Sequence, residues 1–213
     1  MPTLETLLIF TAAAMVLNLS PGPSNFYVLS RSLSQGTGAG LVAVFGLGAG
    51  SLVHVVAAAA GVSAIFAYSP AAFTALKIVG ALYLIYLGIR TFLAPPAVAP
   101  EGERLSAKSN RRIFYESALV EILNPKTALF FLAFLPQFAD PAVGAVAPQI
   151  LLLGLIVTVS ALPCDAMVAG ASGAVAKAFR RKPILSRLQA WVSGSLLVGL
   201  GVALAVSEGR AER

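Results

Sequence analysis

Apolar residues along this chain gather into six stretches, near residues 4–29, 40–66, 71–92, 114–138, 147–170 and 188–206. Each approaches the roughly 20 mostly apolar residues that an α-helix needs to cross a bilayer. Two of them are interrupted near the middle by proline beside small polar residues. The first runs from Leu7-Leu8-Ile9-Phe10 through Asn18-Leu19-Ser20-Pro21-Gly22-Pro23-Ser24-Asn25 to Tyr27-Val28-Leu29. The second passes from Glu121-Ile122-Leu123 through Asn124-Pro125-Lys126 to Leu129-Phe130-Phe131-Leu132. Proline lacks an N–H and clashes with the preceding turn, so a helix opens there and leaves backbone groups unpaired. In lipid, such a break is tolerated only where protein or a watery cavity covers it. Broken helices in corresponding places of two halves are the strongest sequence pointer to the binding site of a secondary transporter. The pattern therefore predicts an all-α integral membrane protein with six transmembrane helices, the first and fourth broken at proline.

Residues from about 94 to 112 form the clearest linker, with Pro95-Pro96, Pro100, Gly102 and mixed charges. It divides the single polytopic domain, residues 1–213, into a first repeat near 1–93 and a second near 113–207. Three crossings per half force the second half to run upside down relative to the first, as in inverted-repeat transporters. Setting Pro21 against Pro125 aligns Phe26 with Phe130, Tyr27 with Phe131 and Gly40 with Gly144. In the second stretch, Gly46 and Gly50 make a small-xxx-small face suited to close helix packing. That face serves either intramolecular packing or a homodimer contact.

Composition agrees with the bilayer assignment: hydrophobic residues make up 58%, charged residues 11% and mean hydropathy is +0.86. A soluble domain carries about 25% charged residues. The net charge of +6 raises the question of nucleic acid, but its placement points to topology instead. Arg31 lies between the first two stretches, Arg90, Arg104, Lys108, Arg111 and Arg112 between the third and fourth, and Lys177, Arg180, Arg181, Lys182 and Arg187 between the last two. The alternate loops, near 66–71 and 137–148, have no lysine or arginine. By the positive-inside rule the basic loops are cytoplasmic, and both termini are expected in the periplasm. Without a basic n-region or obvious cleavage site, the first helix is expected to be retained. Cys164 is the only cysteine, which excludes an internal disulfide and a Cys-x-x-Cys relay.

Candidate chemistry centres on the breaks. The half-helices starting near Ser24 and after Pro125 present free amides and the positive end of a dipole, suited to an amino-acid carboxylate. Carbonyls freed near 17–20 and 121–124 suit a substrate ammonium, and Gly22 lets a ligand approach the backbone. Ser20, Pro21, Gly22, Pro23, Asn25, Asn124, Pro125 and Lys126 are accordingly the expected substrate site. Lys126 can pair either with a substrate carboxylate or with Glu121. Ionisable residues inside a span are costly and by default functional, so Glu121, Asp165 and His54 are candidates for proton coupling. Each also has a structural alternative: Glu121 as a fixed partner of Lys126, Asp165 at a snorkelling end, His54 as a packed, hydrogen-bonded histidine. Lys77 is expected near the outer end of the third helix, snorkelling.

Together these residues resemble the lysine exporter (LysE/RhtB) superfamily. The resemblance rests on the Pro21-Gly22-Pro23 break, the glycine-rich second stretch, Lys77-x-x-Gly80-Ala81-x-Tyr83-Leu84, and Asn124-Pro125-Lys126-x-Ala128-Leu129-Phe130-Phe131 followed by Phe134-Leu135-Pro136-Gln137-Phe138. It covers nearly the whole chain and implies export of amino acids or related metabolites across the bacterial inner membrane, driven by a proton or ion gradient. A metal or inorganic-ion exporter on the same scaffold, or a non-transporting assembly module, is the alternative. With one histidine and one cysteine there is no clustered soft-metal site. The chain has neither a zinc-protease nor a Walker A motif, so no cofactor, nucleic acid or enzymatic activity is expected. The expected partners are an amino-acid substrate, protons and the lipid bilayer.

Overall fold

The computed structural model describes residues 2–20, 22–68, 70–93, 106–174, 177 and 183–206. Its helices are α1 (Leu4–Leu19), α2 (Pro23–Gln35), α3 (Thr37–Tyr68), α4 (Pro70–Leu93), α5 (Asn110–Ile122), α6 (Pro125–Leu129), α7 (Val146–Gly170) and α8 (Pro183–Val206). All six predicted stretches fall on helices, and no strand occurs among the described residues. Thr37–Gly61 and Val146–Gly170 are each long and apolar enough to cross a membrane. The bent pairs α1–α2 and α5 with Pro125–Phe138 bring the candidate spans to as many as four. Pro21, most of the 94–112 linker, Arg104, Arg180, Arg181 and Lys182 lie outside the described residues.

Local chemistry sets the helix ends. Thr3 caps α1, its hydroxyl accepting from the Thr6 N–H at 3.2 Å, and Glu5 in the first turn complements the dipole. Gly36 closes α2 with φ +89°, a left-handed conformation open to glycine at little cost, and turns the chain into α3. Ser109 caps α5 and Asn124 caps α6, with Pro125 at the first helical position, where its missing N–H costs nothing. After α6 the chain loosens into one π turn at Phe130–Phe134 and a 3₁₀ turn at Leu135–Phe138. Pro136 has no N–H to offer the preceding turn, and the Leu135 N–H reaches five residues back to the Phe130 carbonyl.

Large apolar side chains face outward. On α3, Phe45, Leu52, Val53 and Val56 are exposed while Ala43, Gly46, Ser51, His54 and Ala58 are buried. This inversion of the soluble pattern, repeated by Ile78, Val79 and Leu82 on α4, is what a lipid-facing surface requires. Inside, helices approach through small residues. A Cβ placed on Gly46 would lie 2.0 Å from Ser117 Oγ and 2.3 Å from the Phe114 carbonyl. One on Gly50 would lie 2.5 Å from the Ala118 carbonyl. The Gly46/Gly50 face is therefore filled by α5 of the same chain, which removes it as a docking face for a second copy. Gly88 and Gly194 bring α4 and α8 together in the same way, each ideal Cβ meeting the other's carbonyl at 2.7–2.8 Å.

Two apolar clusters result. One joins Phe10, Leu17, Val55, Phe130, Phe131 and Val157; the other joins Val28, Leu47, Ile113 and Ala169. Each polar segment lies between them in sequence. On α3, Ser51 separates Leu47 from Val55; on α7, Thr158 to Asp165 separates Val157 from Ala169. The two breaks do likewise, between Leu17 and Val28 and between Ile113 and Phe130. Polar groups are thus held at mid-height with an apolar seal on either side.

Candidate functional site

At both breaks the helix axis turns sharply, by 52° between α1 and α2 and by 47° between α5 and the segment from Pro125. The breaks meet each other, and α3 and α7 close the sides. Between them lies a cavity of about 40 Å³ lined by Asn18, Ser24, Asn25, Ser51, Glu121, Asn124, Lys126, Thr127, Thr158 and Asp165, with Leu17, Leu47, Val157 and Leu162 among its apolar walls. That is room for about one or two waters. At that volume the cavity must widen to admit a metabolite.

Glu121, 8% exposed, ends α5 and accepts a hydrogen bond from the Ser24 hydroxyl of the opposite break. The Asn124 amide donates to Ser24 Oγ at 3.0 Å and to Glu121 Oε2 at 3.4 Å, while Asn124 Oδ1 accepts from the Lys126 N–H at 3.1 Å. Asn124 therefore caps α6 and cross-links the two breaks. Asp165, also 8% exposed, accepts from the Asn25 amide at 3.1 Å through Oδ1. Asn18 ties α1 to α7 through Ser160 Oγ at 3.0 Å and the Val157 carbonyl at 3.4 Å. Ser51 and Thr158 hydroxyls meet at 2.9 Å, pinning α3 to α7.

Lys126 takes neither carboxylate as an ion-pair partner. Its ammonium crosses to the other break and donates to the Ser20 carbonyl at 2.8 Å and the Leu17 carbonyl at 3.2 Å. Ion pairs form instead at Lys108–Glu116, 2.5 Å, and Arg112–Glu116, 2.8 Å. The carbonyls expected to meet a substrate ammonium are thus already occupied by a lysine.

Of the expected site residues, Asn25, Glu121, Asn124, Lys126 and Asp165 converge on the cavity, whereas Ser20 and Gly22 do not line it but lie against the Lys126 side chain. Pro23 and Pro125 are exposed and shape the breaks. His54 stands behind the cavity: its Nε2–H donates to the Glu121 carbonyl at 3.0 Å, with Phe131 5.8 Å away between ring centres. Lys77 is buried, 8% exposed, and does not snorkel. Asn18, Ser24, Ser51 and Thr158 were not singled out from sequence. Ser24 and Asn18 flank the first break and were within reach of that reasoning, whereas isolated hydroxyls on α3 and α7 give no signal until the helices are packed.

A second polar cluster joins α2 to the start of α5. Glu116 accepts from Lys108, from Arg112 and from the Tyr27 hydroxyl at 3.0 Å. Gln35 exchanges two hydrogen bonds with the Lys108 backbone, at 2.9 and 3.0 Å. This cluster belongs to the end of the bundle carrying the basic loops.

The family description "LysE type translocator" matches residues 15–208. The chain is 33% identical to an uncharacterized membrane protein of Vibrio cholerae, over 94% of this chain and 97% of that one. It is 30% identical to a homoserine/homoserine lactone efflux protein of Salmonella typhimurium (90% and 86% covered) and 26% identical to a leucine efflux protein of an Enterobacter species (92% and 93% covered). No solved structure matches the chain.

Proposed function

We propose that this chain, which belongs to the LysE type translocator family, is a secondary-active exporter of amino acids or amino-acid derivatives in a bacterial inner membrane, exchanging substrate for protons. One observation carries the reading: two proline-broken helices meet at a small polar cavity holding Glu121, Asp165 and Lys126 between two apolar seals. Buried ionisable groups at mid-height between broken helices mark transport sites. The names of the Salmonella and Enterobacter relatives support an amino-acid cargo.

The reading includes six crossings in two inverted halves. Exchanging the halves maps α3 onto α7 and α4 onto α8, and these pairs pack together; it also maps the α3–α5 contact onto the α7–α1 contact, and both occur. With the basic loops cytoplasmic, both termini are periplasmic. The substrate carboxylate approaches the amides that open α2, where Gly22 supplies no side-chain cap, and rocking of the halves alternately opens the two apolar seals. Asp165 carries the proton: Oδ1 accepts from Asn25, and the other oxygen has no hydrogen-bond partner among the described residues. Glu121, accepting from Ser24 and Asn124, locks the breaks together.

Cells expressing the chain and loaded with amino acids as dipeptides should release one class of amino acid faster than control cells, and Asn124→Ala should abolish the gain. Equal release by expressing and control cells, with the protein present in the membrane, would refute the export reading. His54→Gln keeps an N–H donor for the Glu121 carbonyl. It is expected to retain export and its response to external pH; loss of that response would instead put His54 on the proton path.

A further inference from the structure

The site holds a cation already, and it comes from the chain itself. Lys126 Nζ sits at the C-terminal end of α1, on the carbonyls of Leu17 and Ser20 at 3.2 and 2.8 Å. The last carbonyls of a helix carry its negative end and attract a cation, even though the Leu17 carbonyl also accepts from the Ser20 N–H at 3.2 Å. Gly22 makes room for it: a Cβ there would lie 3.1 Å from Lys126 Nζ and 3.4 Å from Cε. Backbone conformation does not demand glycine at this position, since φ −164° and ψ −179° are extended and open to any residue. What glycine supplies is space for the ammonium. Two N–H groups of Lys126 are used on the carbonyls, and the residue lines the same cavity as Glu121 and Asp165 without an ion pair to either.

We propose that the Leu17/Ser20 carbonyl pair is the subsite for a primary ammonium group and that Lys126 is its tethered occupant in the empty protein. This deepens the export reading and rests on it for the identity of the natural ligand. An incoming amino acid displaces the lysine with its own ammonium. The released Lys126 ammonium then neutralises the substrate carboxylate, so one exchange of cations both seats the substrate and reports its arrival. A molecule lacking either group fails: without the amine it cannot dislodge Lys126, and without the carboxylate it leaves the lysine's charge uncompensated. The ligand class is therefore a compound with a primary amine and a nearby anionic or strongly accepting oxygen, whatever its side chain.

Removing the tether should expose the subsite to free amines. An intramolecular group competes at an effective concentration of about millimolar or more. Purified Lys126→Met, which keeps an unbranched apolar stem, should therefore bind methylammonium at least about tenfold more tightly than wild type. The readout is thermal unfolding: a saturable Tm rise of about 5 °C or more in the variant at amine well above Kd, and little in wild type. Tetramethylammonium, which has no N–H to donate, should have no effect on either protein. Lys126→Ala gives a second reading, and if either variant is unfolded alone, purification in methylammonium should recover it.

Equal amine responses in wild type and both variants, or none in any, would overturn the proposal, as would equal stabilisation by tetramethylammonium. Failure of methylammonium to recover unfolded variants would overturn it too. The outcome separates from that of the export reading. Amine binding by Lys126→Met without amino-acid flux in wild type keeps the subsite and removes the exporter. Flux in wild type without amine binding by the variants does the reverse.

Discussion

Asp165→Asn is expected to flatten the dependence of efflux on the pH gradient while leaving exchange of internal for external substrate in place. A single proton moving inward for each neutral substrate moving outward sustains about a tenfold concentration ratio per unit of pH difference, because one unit is worth about 1.36 kcal/mol. Acidifying the outside therefore drives export in wild type. Asparagine at 165 can still meet Asn25, whose amide now lies at 3.1 Å from Oδ1, but it carries no proton through the cycle. Glu121→Gln should behave differently. It replaces the carboxylate that accepts from Ser24 and Asn124, and leaving a buried hydrogen-bonding group unsatisfied costs about 1–3 kcal/mol. Both gradient-driven efflux and exchange should then fall by about tenfold or more, with lower thermal stability. If Asp165→Asn retains the full pH response and Glu121→Gln loses it alone, the two roles are reversed.

The second large effect lies in the packing that holds the site. Gly46→Ala and Gly50→Ala place a methyl group 2.3 Å from the Phe114 carbonyl and 2.5 Å from the Ala118 carbonyl. Neither backbone oxygen can rotate away, so α3 and α5 must separate. Overpacking of this kind costs about 1–3 kcal/mol, occasionally more. The Gly50 variant should also lose transport, since its methyl lies 2.8 Å from Glu121 Cβ. Gly61→Ala is the control: nothing lies within 4 Å of its ideal Cβ, and alanine favours helix by about 0.5–1 kcal/mol. Unfolding in detergent should rank Gly61→Ala at or above wild type and the other two well below it. Equal stabilities would mean that α3 and α5 do not pack through this face.

Much of this architecture is legible in the sequence because proline and hydropathy act locally. The breaks at Pro21–Pro23 and Pro125 follow from missing N–H groups, and the six apolar stretches from the length a bilayer demands. Asn124 was readable too, as a polar residue of the second break. Partnerships across the bundle were not. Lys126 was expected to choose between Glu121 and a substrate, yet it spans to the Leu17 and Ser20 carbonyls, more than a hundred residues away in the chain. That choice depends on Gly22 leaving a gap of the right depth, which only the packed helices define. Ser51 and Thr158 are similar: each is an ordinary hydroxyl in an apolar helix until α3 and α7 cross and bring them to 2.9 Å. His54 read as a relay or as a packed, hydrogen-bonded histidine, and its bond to the Glu121 carbonyl supports the second. The π turn at Phe130–Phe134 left no mark in the hydropathy pattern, although Pro136 supplies its cause.

The central claim, that the two breaks form one amino-acid site coupled to protons, is tested most directly by efflux from proteoliposomes holding purified protein. Vesicles loaded with labelled neutral or basic amino acids are diluted into acidic or matched buffer, with wild type beside Asn124→Ala and Lys126→Ala. The account predicts faster efflux of one amino-acid class into the acidic buffer, lost in both variants. Folded wild-type protein that moves no amino acid under any gradient, or variants that move it as fast as wild type, would contradict it.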